Sequence, residues 1–145
     1  MKKKLIDVCL QHLENVSQTA KSLMDEAQQQ ANDYGQNKDR YDSFRTKQER
    51  MAAMYSKQYD NAESSIRTLL QIDAEKQCSC VEFGSYVCTD KQKMFISVSI
   101  GQLECDNEKF YAISVKVPIY EVMKGKKVGD TFTFNGVTQK IEKIA

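Results

Sequence analysis

The most constraining feature of this sequence is an uninterrupted heptad pattern in a first half that contains no proline. The positions Ile6, Cys9, Leu13, Val16, Ala20, Leu23, Ala27, Gln30 and Tyr34 alternate steps of three and four. Such spacing lines up on one face of an α-helix, so it predicts a long helix with a narrow apolar seam. Gln, Lys, Glu, Asp and Ser occupy the other positions, as a solvated face requires, while Leu5, Leu10 and Met24 widen the stripe slightly. Gly35, the only glycine before residue 76, tolerates left-handed geometry and reads as the helix stop. A second stripe follows: Tyr41, Arg45, Gln48, Ala52, Tyr55, Tyr59, Ala62, Ile66 and Leu69. Two helices of ~45 Å, at ~1.5 Å per residue, joined by a short turn favour an antiparallel hairpin. The seam weakens toward the turn, and a long projection with a polar tip suggests that the tip touches something.

The second half changes character. It holds five of the six glycines and the single proline, Pro118, among 145 residues. Val81–Cys88 is rich in β-formers, Met94–Ile100 alternates as a half-buried strand, and Phe110–Val115 reads as another. Leu103–Cys105 extends the second of these beyond Gly101. Pro118 opens a short helix, Ile119–Lys124, which Gly125 closes. Thr131–Phe134 and Val137–Ile144 flank Asn135-Gly136, the strongest short-range hairpin signal. The expected organisation is a coiled-coil hairpin over 1–75 and a small α+β domain over 76–145.

Composition narrows the function classes. Lys and Arg number 21 against 20 Asp and Glu, a net charge of +1, which argues against a dominant basic nucleic-acid surface. No apolar run approaches the ~20 residues of a bilayer span, and the basic start lacks the h-region of a signal peptide. Five cysteines without paired C-x-x-C spacing disfavour both a disulfide framework and a zinc site. Together these point to a reduced, soluble, cytoplasmic protein with no membrane partner. His12, the only histidine, falls off the seam and is expected in solvent; no Ser-His-Asp or Cys-His set is available for nucleophilic catalysis. Gly125 to Gly129 lacks the terminal Lys-Ser/Thr of a phosphate-binding loop.

The run IleSerValLysValProIleTyrGluValMetLysGlyLysLysValGlyAsp at 113–130 resembles the carboxy-terminal domain of the Gre-family transcription elongation factors. Ile113, Ser114, Pro118, Ile119, Gly125, Lys126, Gly129 and Asp130 fall on a gapless I-S-x-x-S-P-I, short helix, G-K-x-x-G-D pattern. Val81–Val87 is similar to that domain's opening V-x-F-G-x-x-V, and Tyr41–Arg45 to the Y-x-x-x-R after the family's tip. The resemblance implies an antiparallel coiled coil followed by an FKBP-like domain, the order read above from periodicity alone. It also implies an accessory factor, not an enzyme, that docks on bacterial RNA polymerase at the secondary channel. In the family two acidic tip residues, three apart, help hold a magnesium ion in the polymerase active site, where hard oxygen ligands are needed. The implied cofactor is thus none of the chain's own, with a shared magnesium ion in the polymerase. Contact with nascent RNA would be indirect.

Counting back from Tyr41, the two acidic positions fall on Tyr34 and Asn37, which counts against strong cleavage stimulation. Asp33, Asp39 and Asp42 lie nearby, and Asp39 and Asp42 share the three-residue spacing. Capping explains this pair better than metal work, with Asp39 as N-cap and Asp42 in the first turn. Lys38, Arg40, Arg45, Lys47 and Arg50 form a basic patch past the tip, interleaved with acids; a solvated helix face is the simpler reading, an RNA- or polymerase-facing patch the sharper one. Val117, Pro118, Ile119 and Tyr120 are candidates for an apolar polymerase-docking surface, since Val117 and Tyr120 stand where the family has small residues.

Two alternatives come from other classes. One is a prolyl isomerase or peptide-binding module, whose aromatic-lined pocket would draw on Phe83, Tyr86, Phe95, Phe110, Tyr111, Phe132 and Phe134. The other is a structural coiled-coil dimeriser. A monomer is the favoured state under the first reading.

Overall fold

The computed structural model describes residues 2–33 and 43–145. Helix α1 spans Lys2–Asp33 and helix α2 Ser43–Leu69. The remainder forms strands β1 (Tyr86–Thr89), β2 (Lys93–Ile96), β3 (Gly101–Cys105) and β4 (Glu108–Ile113), helix α3 (Pro118–Met123), then β5 (Thr131–Phe134) and β6 (Val137–Ile144). The architecture is α+β, a helical hairpin followed by a sheet domain. By internal contacts the chain forms two compact units: residues 12–66, and residues 1–11 together with 67–145.

In the hairpin unit the helices run antiparallel. Ser17 Oγ donates to Glu63 Oε1 at 2.6 Å, while Leu23, Ala27 and Gln30 meet Gln48, Met51 and Tyr55 farther along. Small residues dominate the contact: Ala20, Ala27, Ala31, Ala52 and Ala62 are all buried. An alanine stripe lets two backbones approach closely but buries little area per residue. The α2 seam follows the heptad expectation, with each of its described positions from Arg45 to Leu69 buried or half-buried. The α1 seam departs from it. Val16 and Gln30 are exposed, and their neighbours Ser17 and Ala31 are buried instead. A straight helix drifts against a 3.5-residue repeat by ~20° per heptad, and the buried Cys9, Ala20 and Ala31 follow an eleven-residue spacing. The drift brings Ser17 onto the seam, where its hydroxyl finds a carboxylate partner.

The sheet has the order β3-β4-β2-β1-β6-β5, with β2 and β4 parallel and every other pair antiparallel. Alternation sends Val87, Met94 and Ile96 to one face, where they pack with Tyr120 and Met123 of α3 and with Val81, Phe132 and Ile141. Ile144 joins the same face although it lies three residues from Ile141. The register slips between Cys88 and Thr89, and that bulge flips the alternation of β6. The opposite face carries Tyr86, Phe95, Phe110 and Ala112, also buried. Within this unit the first turns of α1 contribute Leu5 and Cys9, both buried, and Lys4 pairs with Asp106 at 3.2 Å beside the β3–β4 turn. Covering both faces is worth about 1.5–3 kcal/mol for each large side chain fully buried.

Three strand expectations are corrected. Val81–Ser85 is not strand but a turn and bend, in which Gly84 N–H donates to the Ile96 carbonyl. The second strand stops at Ile96, and Gly101–Cys105 is a separate strand that pairs with β4 and not with β2. β4 begins at Glu108 and ends at Ile113, short of Val115. Val81 and Val98 are apolar because the core buries them in irregular backbone, not because they lie in strands. The β5–β6 hairpin forms where Asn135-Gly136 places it.

Candidate functional site

Near the described end of the hairpin, Asp33 is the last residue of α1; it is exposed and accepts from Gln29 Nε2 at 2.8 Å. Tyr34, Asn37, Lys38, Asp39, Arg40 and Asp42 lie outside the described residues, as do Gly35 and Tyr41. Of the basic patch, Lys47 and Arg50 are exposed on α2, whereas Arg45 is half-buried and donates through Nε to Glu49 at 3.1 Å. An i,i+4 pair of this kind supports the helix by a few tenths of a kcal/mol. Leu23, Ala27, Met51 and Tyr55, with Glu26, Gln30 and Gln48, line a shallow groove of about 160 Å³ between the helices. Among the described residues no three His, Cys, Asp or Glu side chains gather as metal ligands.

The run 113–130 is held together by its own residues. Ser114 Oγ accepts from Lys116 N–H at 3.2 Å and turns the chain out of β4. Val117 is extended at φ −79°, ψ 150°, as the residue before proline must be, and Pro118 begins α3 where its missing N–H costs nothing. Gly125 ends the helix at φ +76°, and Gly129 sits at φ +92°. Lys127 N–H, between them, donates to Asp130 Oδ2 at 2.8 Å, closing a tight turn. The turn is fastened on two sides: Gly125 N–H donates to the Val81 carbonyl and Val81 N–H to Lys126, while Gly129 N–H donates to Ile141 and Ile141 N–H to Asp130. The G-K-x-x-G-D spacing thus serves a conformation that only glycine adopts without strain at two points.

The four docking candidates divide. Pro118 is exposed, Val117 and Ile119 are half-buried against the α3 core, and Tyr120 is only 8% exposed. The expectation of a continuous apolar surface is therefore corrected at Tyr120. Its ring fills the core beneath α3, and burial raises its hydroxyl pKa. Lys124 is exposed at the helix end, one residue beyond Met123, which is fully buried. The seven aromatic residues considered for a peptide pocket scatter likewise: Tyr86, Phe95, Phe110 and Phe132 are core, Phe83 and Phe134 half-buried, and Tyr111 exposed.

His12 is exposed and all five cysteines are free. Sequence reasoning missed one cluster. Lys2, 5% exposed, reaches the linker that carries Cys78 and Cys80, beside Glu82. No spacing signal joins residue 2 to residue 78; a lysine at a helix start ordinarily reads as solvated. The Glu82 carboxyl is held below its ordinary value by the Cys78 thiol and the Lys76 ammonium, and burial pushes the Cys78 thiol up.

No helix among the described residues is long and apolar enough to cross a membrane. No family model matches the chain. No curated protein matches it. Among solved structures, it is similar to the GreA factor homolog 1 (Gfh1) protein of Thermus thermophilus, with 13% identity, 94% of each chain covered and a TM-score of 0.35. A second structure, of the transcription factor Gfh1, overlaps with 15% identity, 93% of this chain and 90% of the other, and a TM-score of 0.36. Overlap this slight carries no functional argument.

Proposed function

We propose that the chain is a bacterial transcription elongation regulator of the Gre kind, an accessory factor acting on RNA polymerase and not itself an enzyme. The sheet unit docks at the mouth of the secondary channel, and the helical hairpin reaches inward. The observation that carries this reading is the 18-residue Gre-like run at 113–130, in which Pro118, Gly125, Gly129 and Asp130 each perform a distinct backbone task. That run stands behind a helical hairpin, the order the resemblance requires. Pro118, with the outer edges of Val117 and Ile119, is the docking candidate; Tyr120 supports it from below.

Cleavage chemistry is not expected to be strong. Tyr34 and Asn37 stand at the two positions where the family carries acids, and neutral oxygens there stabilise a divalent cation far less than carboxylates. Any contact with nascent RNA would follow from the hairpin's place in the channel, and the factor works as a cytoplasmic monomer. Immobilised full-length chain should retain core RNA polymerase at low ionic strength; absence of retention would overturn the reading. In backtracked elongation complexes, RNA cleavage should stay near the rate of polymerase alone. Robust cleavage would show that Asp33, Asp39 or Asp42 substitutes for the missing pair.

A further inference from the structure

We infer that Cys78 and Cys80 form a redox-active dithiol, closed to an intramolecular disulfide by exchange with a small-molecule disulfide and reopened by thiols. This site is independent of the proposed function.

The argument begins with an unusual burial. Lys2 lies at the start of a helix, where a long cationic side chain ordinarily stays in water, yet its Nζ donates to the Lys76 carbonyl at 2.7 Å and to Cys78 Sγ at 3.4 Å. Cys78 is 7% exposed, and Cys80, two residues on, is half-buried and more accessible. The chain bends at Ser79 between them. Cys80 Sγ stands 3.9 Å from Glu82 Oε2. Lys76 Nζ holds the other oxygen, Oε1, at 3.2 Å. Two free thiols thus stand two residues apart, the more accessible one beside Glu82 and the more buried one against an ammonium.

These roles follow from access and charge. The thiolate of Cys80, the sulfur open to solvent, attacks the small disulfide; one S–S bond breaks, one forms, and the first small thiolate leaves and takes a proton from water. The Cys78 sulfur then attacks Cys80 Sγ in the mixed disulfide and expels the second small thiolate. Burial pushes the Cys78 thiol up, and the Lys2 ammonium works against that rise, favouring the thiolate during this step. Two protein thiols lose two electrons and two protons, and one small disulfide becomes two thiols.

The test incubates the full chain in a series of oxidised and reduced glutathione mixtures, alkylates free thiols and maps the tryptic peptide Gln77–Lys91 by mass spectrometry, fragmenting between Cys80 and Cys88. The expected product is a peptide two hydrogens lighter, closed between Cys78 and Cys80 with Cys88 alkylated, and restored by dithiothreitol. Cys78→Ser should stop the reaction at glutathione on Cys80. Lys2→Met keeps the stem and removes the charge, and should slow ring closure roughly threefold through a smaller thiolate fraction. A pair involving Cys88, a stable glutathione adduct on Cys80 in the unmodified chain, or alkylation of both Cys78 and Cys80 at every ratio would overturn the proposal. Closure at an unchanged rate in Lys2→Met would remove Lys2 from the site.

Discussion

The two units of this chain bury different things. In the sheet unit Phe95, Phe110, Met94, Ile96, Met123 and Ile141 are at most 1% exposed. In the hairpin unit the buried positions are mainly alanines, and Val16, Phe44 and Met54 remain exposed. Hydrophobic stabilisation scales with apolar area, so the first unit is anchored by bulk and the second by close approach along a thin seam. The lesson is a division of labour: a well-packed body, and a helical pair whose local opening should be easier.

The contrast breaks most visibly at Phe95. Phe95→Ala should cost about 3–5 kcal/mol, the range for an aromatic ring deleted from a core, and denaturant unfolding monitored at the strands would register it. An effect below ~1 kcal/mol would mean that the sheet unit is not the anchor. The hairpin should respond to the opposite change. Ala52→Leu or Ala20→Leu forces bulk into a seam built for close contact and should destabilise the helices by about 1–3 kcal/mol, read from helical circular dichroism on heating.

Smaller effects refine the picture. Asp130→Ala leaves the Lys127 N–H in the 125–130 turn without its side-chain acceptor and should cost about 1 kcal/mol, with local amide exchange rising around Gly129. Ser17→Ala removes the seam hydroxyl that meets Glu63 and should cost about 0.5–1.5 kcal/mol, confined to the hairpin. The smallest concerns Glu82, whose carboxyl is held below its ordinary value first by Cys78 and then by Lys76. A depressed carboxyl contributes stability above its unfolded value and loses it as pH falls through the folded one. A Glu82→Gln chain should therefore show a slightly shallower acid transition in that window, measured by unfolding across the acidic range.

Much of this fold was legible because its signals are local. The α2 seam, Pro118 at the first position of α3, Gly125 at its end and the Asn135-Gly136 hairpin each depend on neighbours a few residues away. The strand ends were misjudged where burial and strand pairing part company, as at Val81 and Val98. The α1 seam is only partly legible, since a straight helix drifts off a 3.5-residue repeat and brings Ser17 and Ala31 inward in place of Val16 and Gln30. Tyr120 reads as surface in the sequence because a six-residue helix is too short to reveal a face by periodicity. The cluster at Lys2, Cys78 and Glu82 joins residues over seventy positions apart, and no pattern in the chain announces it.

The most direct test of the proposed division places a photoreactive benzoylphenylalanine at Asp33, the last described residue of α1, and irradiates the full chain with core RNA polymerase. The expected result is cross-links from this position to polymerase segments lining the secondary channel near the active centre. Efficient capture of polymerase from a probe at Pro118, with none from Asp33, would contradict the inward-reaching hairpin. Capture from neither position would contradict docking itself.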